Sequence, residues 1–461
     1  MLGLVDLVLS AHRTLASVDG ASWNALDHAP SPFLEWGFLR ALELSGSVGG
    51  SSGWDPTYLL VHGDASCLND LNDAGAQPSS PDRAGVDRPE QGGRAGQGGQ
   101  AGQGGQAGRV LLGAVAAYAK DHSYGEYIFD FQWARASTRV GIPYYPKLVI
   151  AAPATPATGK RILLHPGLDA AAREAVARRL IAGVRELADE LAVGSIHWLF
   201  TSADEQALLE REGFAARASF QFHWHNRPSA SVTEAGSVAE GAAGWTDFEA
   251  FLASLSSRKR KQIRKERARA QAAVDRIRFV PGDELEPAQI AALDRFYRRT
   301  TDLYGGSQYL RPGFFEALVE QLPERVRFLE VERGGRAIAG ALFLETEQAL
   351  YGRYWGCTED VEFLHFEASY YAGIERCIAR GIPLFEAGAQ GEHKLVRGFM
   401  PVICHSSHWL RHPGLDRGVR EFLREERRAV AHHVQQLAAY GPYRRDLDQG
   451  PAPSEVSERE Q

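Results

Sequence analysis

Residues 385–401, FEAGAQGEHKLVRGFMP, gather many kinds of reactive side chain in one short stretch. An apolar run ends on Glu386. Gly388 and Gly391 follow, and then Glu392, His393, Lys394 and Arg397. Ligands of open α/β sheets bind beyond strand ends. A charge closing an apolar strand is expensive unless it is paired or functional. Glu386 is therefore the candidate general base, with His393 as the alternative. Lys394 and Arg397 can hold a phosphate or carboxylate, and Gln390 lies among them as a further substrate contact. The competing reading is a solvated loop with incidental charges.

Two aromatic patches precede it. In YGRYWG, 351–356, strand alternation places Tyr351, Arg353 and Trp355 on one face and Tyr354 on the other. In LHFEASYY, 364–371, His365 and Glu367 fall in a first helical turn, with Tyr370 and Tyr371 a turn later. Glu367 can serve the helix dipole alone, and His365 can act as a cap. The first half has patches of similar character in HSYGEYIFD, 122–130, and GIPYYPKL, 141–148. Tyr124, Tyr145 and Lys147, with Tyr127 and Tyr144, are candidates for one wall of a shared cleft, or for plain aromatic packing.

The run SSRKRKQIRKERARA, 256–270, crowds Arg258, Lys259, Arg260, Lys261, Arg264 and Lys265 onto one helix. A solvated basic face is the usual meaning of such a run. A phosphate-rich donor, a tRNA or an anionic lipid surface is the alternative. His405 and His412 fall on opposite faces by strand parity, so no metal site is expected. Neither a G-x-S-x-G elbow nor a P-loop occurs, which removes serine-hydrolase and NTPase chemistry.

These groups need a scaffold. The 461 residues suffice for two cores. The net charge of -7 argues against a generally nucleic-acid-binding chain. Four cysteines without metal-like spacing read as free thiols. No apolar run reaches a membrane span, so a cytoplasmic location is expected, with peripheral contact to an anionic membrane left open and no stable protein partner evident.

Strand-like runs at 57–62 and 109–119 flank a glycine-rich segment, 72–108, too apolar-poor to order itself. A strand at 147–152, a helix at 169–191 capped by Asp169, and strands at 195–200 and 214–225 follow. The second half repeats this grammar: helices at 245–273, 287–303 and 312–321, strands at 327–332, 337–345 and 349–356, a helix from 365 to Gly381, a short strand, and a strand at 402–411. A helix at 414–439 closes it. The expected plan is two mixed α/β domains, 1–227 and 228–445, with a disordered tail at 446–461.

With these residues in view, the chain resembles the bacterial predicted N-acyltransferases of the GNAT superfamily, the FemAB-like peptidoglycan biosynthesis/recognition family. HSYGEYIFD, YYPKL, QFHW, the basic helix, YGRYWG, LHFE and AGAQGEHK carry the likeness. The resemblance implies two tandem GNAT-like domains and transfer of an acyl or aminoacyl group to an amine, with a peptidoglycan precursor as one acceptor. It makes 349–356 a splayed strand whose backbone amide polarises the donor carbonyl. Acyl-CoA and aminoacyl-tRNA both remain open as donors. The loop CTEDVEFLHFE, 357–367, lacks a glycine run for a pyrophosphate and carries Glu359, Asp360 and Glu362, which would repel one. Two other readings stand beside the transferase: a non-catalytic glycan or peptide recognition module, and nucleic-acid binding through 256–270.

Overall fold

The computed structural model describes residues 7–68, 109–227, 244–303, 306, 308–389 and 391–444. The glycine-rich segment, the tail and Gln390 lie outside the described residues.

In chain order the strands are β1 Val8–His12, β2 Asp55–Asp64, β3 Arg109–Lys120, β4 Lys147–Ile150, β5 Leu163–Leu164, β6 Ser195–Thr201, β7 Ala215–His225, β8 Arg276–Pro281, β9 Val326–Arg333, β10 Arg336–Glu345, β11 Ala349–Cys357, β12 Leu384–Glu386 and β13 Met400–Leu410. They form one mixed sheet ordered β1-β2-β3-β4-β6-β13-β7-β12-β11-β10-β9-β8, with β5 on β3. Each half contributes an antiparallel meander, β2-β3-β4 or β9-β10-β11, then a helical crossover to a parallel strand, β6 or β12. The last strand of each half sits in the other half: β7 beside β12, and β13 beside β6. β7 and β13 also pair with each other, so the halves share one hydrogen-bonded seam.

The helices are α1 Gly20–Asn24, α2 Trp36–Leu44, α3 Phe131–Arg139, α4 Ala170–Glu190, α5 Ala203–Arg211, α6 Phe248–Ser254, α7 Ser257–Ala272, α8 Pro287–Leu303, α9 Phe314–Gln321, α10 Leu364–Phe366, α11 Ala372–Arg380 and α12 Pro413–Ala439. A π-helical turn, Glu367–Tyr371, joins α10 to α11. Asp169 caps α4 by accepting from the Ala172 amide, as expected.

One face of the sheet carries a core shared by both halves, in which Phe33 and Phe38 meet Phe314, Tyr351 and Cys404. On the other face, α4 covers Ile150, Ile196 and Trp198, while α6, α7 and 364–380 cover Leu350, Phe385 and Phe399. Each such fully buried side chain contributes about 1.5–3 kcal/mol.

Two expectations are corrected, and one segment without a sequence reading proves to be a strand. The single helix at 245–273 is α6 and α7: buried Leu255 is extended, and the Ser256 amide donates to the Pro442 carbonyl. The segment 276–281 is a strand, β8, whose Pro281 is tolerable because β8 is an edge. β13 ends at Leu410, so His412 lies outside the strand and caps α12 instead, accepting from the Leu415 amide.

The halves also meet where α2 crosses α9. A Cβ on Gly37 would stand 2.2 Å from the Gln321 carbonyl oxygen. Gly37→Ala must push the helices apart, and urea denaturation should show a loss of about 2 kcal/mol or more. An unchanged midpoint would mean that this crossing bears no load.

Candidate active site

β11 and β12 pair in parallel only at Ala349–Leu384, Leu350–Phe385 and Tyr351–Glu386. There β12 stops, while β11 runs on to Cys357 and β7 continues on the other side. A crevice thus opens between β11 and β7, with Glu386 at its floor. One wall is the chain leaving β12: a Cβ on Gly352 would sit 3.6 Å from Ala387 Cα. The other wall comes from the first half. Arg353 Nη2 donates to the Ala154 carbonyl at 2.9 Å, Gln221 Nε2 donates to the Pro156 carbonyl at 2.8 Å, and the Thr158 amide points at Glu386 Oε2 from 3.4 Å. Segment 154–158 therefore ties β11, β7 and β12 together.

Glu386 is 4% exposed. Burial pushes its carboxyl up to about 8, against the pull of the Thr158 amide, Arg161 and Arg353. His223 Nε2 lies 3.8 Å from Glu386 Oε1. Tyr351 pairs with Glu386 in the sheet, and its own hydroxyl is held well above the usual range by burial and by Glu386. His223 Nε2 and Gln221 Oε1 are buried and find no hydrogen-bond partner among the described residues, while the Ser31 hydroxyl stands by that of Tyr351. Polar atoms at this depth are completed by water or by a ligand.

The alternation expected of 351–356 fails. Leu342 faces Tyr354 but Phe343 faces Gly352, so Arg353 is an extra residue in β11. A one-residue bulge reverses the faces beyond it. Tyr351 and Tyr354 consequently share one face, where the Arg353 guanidinium lies over Phe33 and Tyr354. Trp355 turns to the opposite face and meets His365, ring centroids 5.5 Å apart.

That opposite face holds the remaining candidates of the second half. Phe363, at φ +65°, starts the helix, so His365 is not its cap. His365 packs against Phe366, Tyr370 and His393, and burial beside His393 and Arg397 drives it down to about 4. Tyr370 and exposed His393 are hydrogen-bonded at 2.8 Å. Burial, then Arg397 and Lys394, lowers His393. Lys394 is 1% exposed, donates to the Gly388 carbonyl at 2.6 Å, and is pushed down to about 7 by burial. Glu386 and His393 thus stand on the two sides of the crevice and do not form a pair.

Arg397 is a positioning group. Its Nη2 donates to Glu266 at 2.9 and 3.1 Å, its Nε to the Tyr371 hydroxyl at 2.9 Å, and its Nη1 to the His393 carbonyl at 2.7 Å. The π turn aims Tyr370 and Tyr371 into this set. Glu266 is the one acid within the basic run 256–270, and it was not singled out among the cations. Glu266→Ala should strand the buried Arg397 and cost about 3 kcal/mol in chemical denaturation. Arg264→Ala, at an exposed pair with Glu249, should leave the denaturation midpoint almost unchanged. Equal losses would refute the distinction.

Glu367 is not a free contact. It takes Arg267 at 3.0 Å and Gln271 at 3.0 Å. A groove of about 500 Å³ opens beside it, between α7, β8 and α11. Its Arg267, Arg276, Arg278 and Arg376 are paired with Glu375, Glu332, Glu330 and Glu345. It offers little net charge to an anion. In the basic run, Arg260 donates to the Ala253 and Leu255 carbonyls, Arg258, Lys261 and Lys265 are exposed, and Lys259 is half-buried. Two of the three acids named in loop 357–367 are also paired: Glu359 with Arg333 and Arg336, and Glu362 with Arg269. The repulsion expected from them is therefore largely cancelled.

The first-half candidates, Tyr127 excepted, make none of the contacts that wall the crevice. Lys147 is wholly buried and donates to Ser123 and Glu126 at 2.8 Å and to Asp130 at 2.5 Å. Half-buried Tyr145 bonds Ser123 at 2.7 Å, and Tyr124 is exposed. Tyr127, with φ +60°, reaches toward the second half and packs against Tyr309.

The family description of peptidoglycan biosynthesis/recognition, FemAB-like, matches residues 14–74 and 100–445. The chain belongs to the FemAB-like family. Among solved structures, this FemAB-like chain is similar to FemX at 10% identity, covering 89% of this chain and 100% of that one, TM-score 0.45. It is also similar to a tandem GNAT protein from the clavulanic acid biosynthesis pathway at 10% identity, 88% and 99% coverage, TM-score 0.38. A third is L-PGS from Bacillus licheniformis at 10% identity, 71% and 87% coverage, TM-score 0.39. A search of curated proteins finds no significant match. The FemAB-like chain has a mixed α/β fold whose two halves repeat one strand plan within a single sheet. Among its described residues no helix is long and apolar enough to cross a membrane.

Reading the sequence of this FemAB-like chain missed His223, Gln221 and Thr158. His223 and Gln221 sit on β7 and Thr158 in a loop, and only the strand exchange between halves brings them to Glu386. QFHW carried a weak signal, since it holds both Gln221 and His223.

Proposed function

We propose that this FemAB-like protein transfers an acyl or aminoacyl group to an amine, at the crevice floored by Glu386, with a peptidoglycan precursor as one acceptor class. The observation that carries this is a parallel strand pair that ends on a buried carboxylate whose proton affinity is raised toward neutrality. A base works best when its pKa lies near the working pH. In this reading the amine lone pair forms the C–N bond at the donor carbonyl. The resulting oxyanion meets backbone N–H groups on the β11 edge past Tyr351. The adduct collapses with cleavage of the thioester C–S or ester C–O bond. Glu386 takes the ammonium proton and returns it to the departing thiolate or alkoxide, so that charge and protons balance.

The test is a donor panel. Acyl-CoAs and charged tRNAs are each offered with a peptidoglycan precursor and simple primary amines, and amide products are sought by mass spectrometry. One donor class should yield product. Complete inactivity with both, in protein that is folded by circular dichroism, would refute the transferase reading.

A further inference from the structure

Each half of the chain builds a parallel strand pair, and each pair parts at its carboxyl end. In the first half, residues 148–150 pair with 196–198. Here β4 leaves the sheet at Ile150 while β6 continues to Thr201. In the second half it is β12 that leaves. The two gaps have different contents. In the first, residues 159–164 of the chain lie in the opening. The Gly159 amide donates to the Phe200 carbonyl at 3.1 Å, Arg161 Nε donates to the Leu199 carbonyl at 2.8 Å, and β5 pairs with Gly113 and Ala114 of β3. The segment is locked from behind. Glu205 Oε1 accepts from the Arg161 and Ile162 amides at 2.7 Å each, and Arg161, 1% exposed, also donates to the Ala157 carbonyl at 2.6 Å. Among the described residues no strand pairs with the edge of β11 past Tyr351, where a side chain, the Thr300 hydroxyl, donates to the Trp355 carbonyl at 2.8 Å.

We infer that the chain has a single donor crevice, at β11/β12, because its first-half counterpart is filled by the protein's own segment 159–164. That segment does in the first half what an extended donor arm would do in the second: it supplies amides and carbonyls to strand edges that have lost their neighbour. Its leading residues, 154–158, are the ones that wall the second crevice. The first half has exchanged a ligand site for a structural part of its partner's site. This rests on the acyl-transfer reading above only for the identity of the donor; the filled gap stands on hydrogen bonds alone.

Hydrogen exchange of the full-length protein, read by mass spectrometry with and without millimolar S-acetylpantetheine, separates the two claims. Without the probe, amides of 159–164 should exchange at least about 100-fold more slowly than that of the exposed turn residue Gly335. Glu205→Gln should speed exchange at Arg161 and Ile162 by about tenfold or more, because it weakens two charge-assisted contacts, and leave 351–357 unchanged. With the probe, protection should rise at 351–357 and not at 195–201. Turn-like exchange of 159–164, or probe protection at 195–201, overturns the inference. Slow exchange of 159–164 with no probe effect at either crevice leaves the first gap filled and counts instead against the acyl-pantetheine donor.

Discussion

Replacing Glu386 by Gln should lower kcat/KM by about 100- to 10,000-fold, the usual worth of a positioned general base, with little loss of fold. Glutamine keeps the shape and the acceptor that faces the Thr158 amide. It also removes a carboxyl that resists ionising where it stands. The wild-type pH profile decides between the two candidate bases. If Glu386 serves, the rate climbs through about pH 8, because burial raises its proton affinity. If His393 serves, burial and Arg397 place the limb below the ordinary histidine range, and the rate is flat near neutrality. Stability offers an independent check. The folded carboxyl keeps its proton to about pH 8, while the unfolded one loses it near the ordinary glutamate value of 4.5. The contribution is therefore present below the lower value and lost as pH rises through the upper one. Thermal unfolding of Glu386→Gln should lack that part of the decline. A variant with wild-type kcat/KM would refute the assignment outright.

How far the sequence led depends on the range of the interactions. The α4 helix was legible to its cap, because Asp169 and the apolar period lie within a few turns. The buried carboxylate at the end of β12 was legible because a charge closing an apolar strand is a local anomaly. The bulge at Arg353 was not: YGRYWG alternates well, and only the register against β10 reveals the extra residue. The break between α6 and α7 was hidden because it is set by Pro442 and Tyr443, far along the chain. The exchange of β7 and β13 between halves left no local trace either, and with it went His223 and Gln221. The meander of β8 could have been read, since Arg276, Ile277, Arg278 and Phe279 alternate before Pro281 and Gly282.

Around Lys147, residues whose types could line a cleft form a buried hydrogen-bonded network instead. Lys147 has no exposure and sits among Ser123, Glu126 and Asp130, while Tyr144 donates to the same Asp130 oxygen at 2.6 Å. The nearest other cation, Lys120, is 3.9 Å from Glu126 and lies 3.7 Å above the Trp54 ring. Lys147→Met should therefore leave two buried carboxylates with one poorly placed partner. Breaking a buried ion pair from one side costs about 3–5 kcal/mol, more than any other substitution considered for stability. Losing the cation must raise both carboxyl affinities for protons. Burial already holds Glu126 up at about 7, with Lys147 as the main restraint on it. Protonated carboxyls need no cation, so the penalty should be smallest near pH 5 and grow toward pH 8. Adding Asp130→Asn to Lys147→Met should recover part of it, because one of the stranded charges is gone. Urea titrations of the single and double variants at both pH values measure this directly. A pH-independent loss below about 1 kcal/mol would mean that water reaches Lys147, and would return it to the list of ligand contacts.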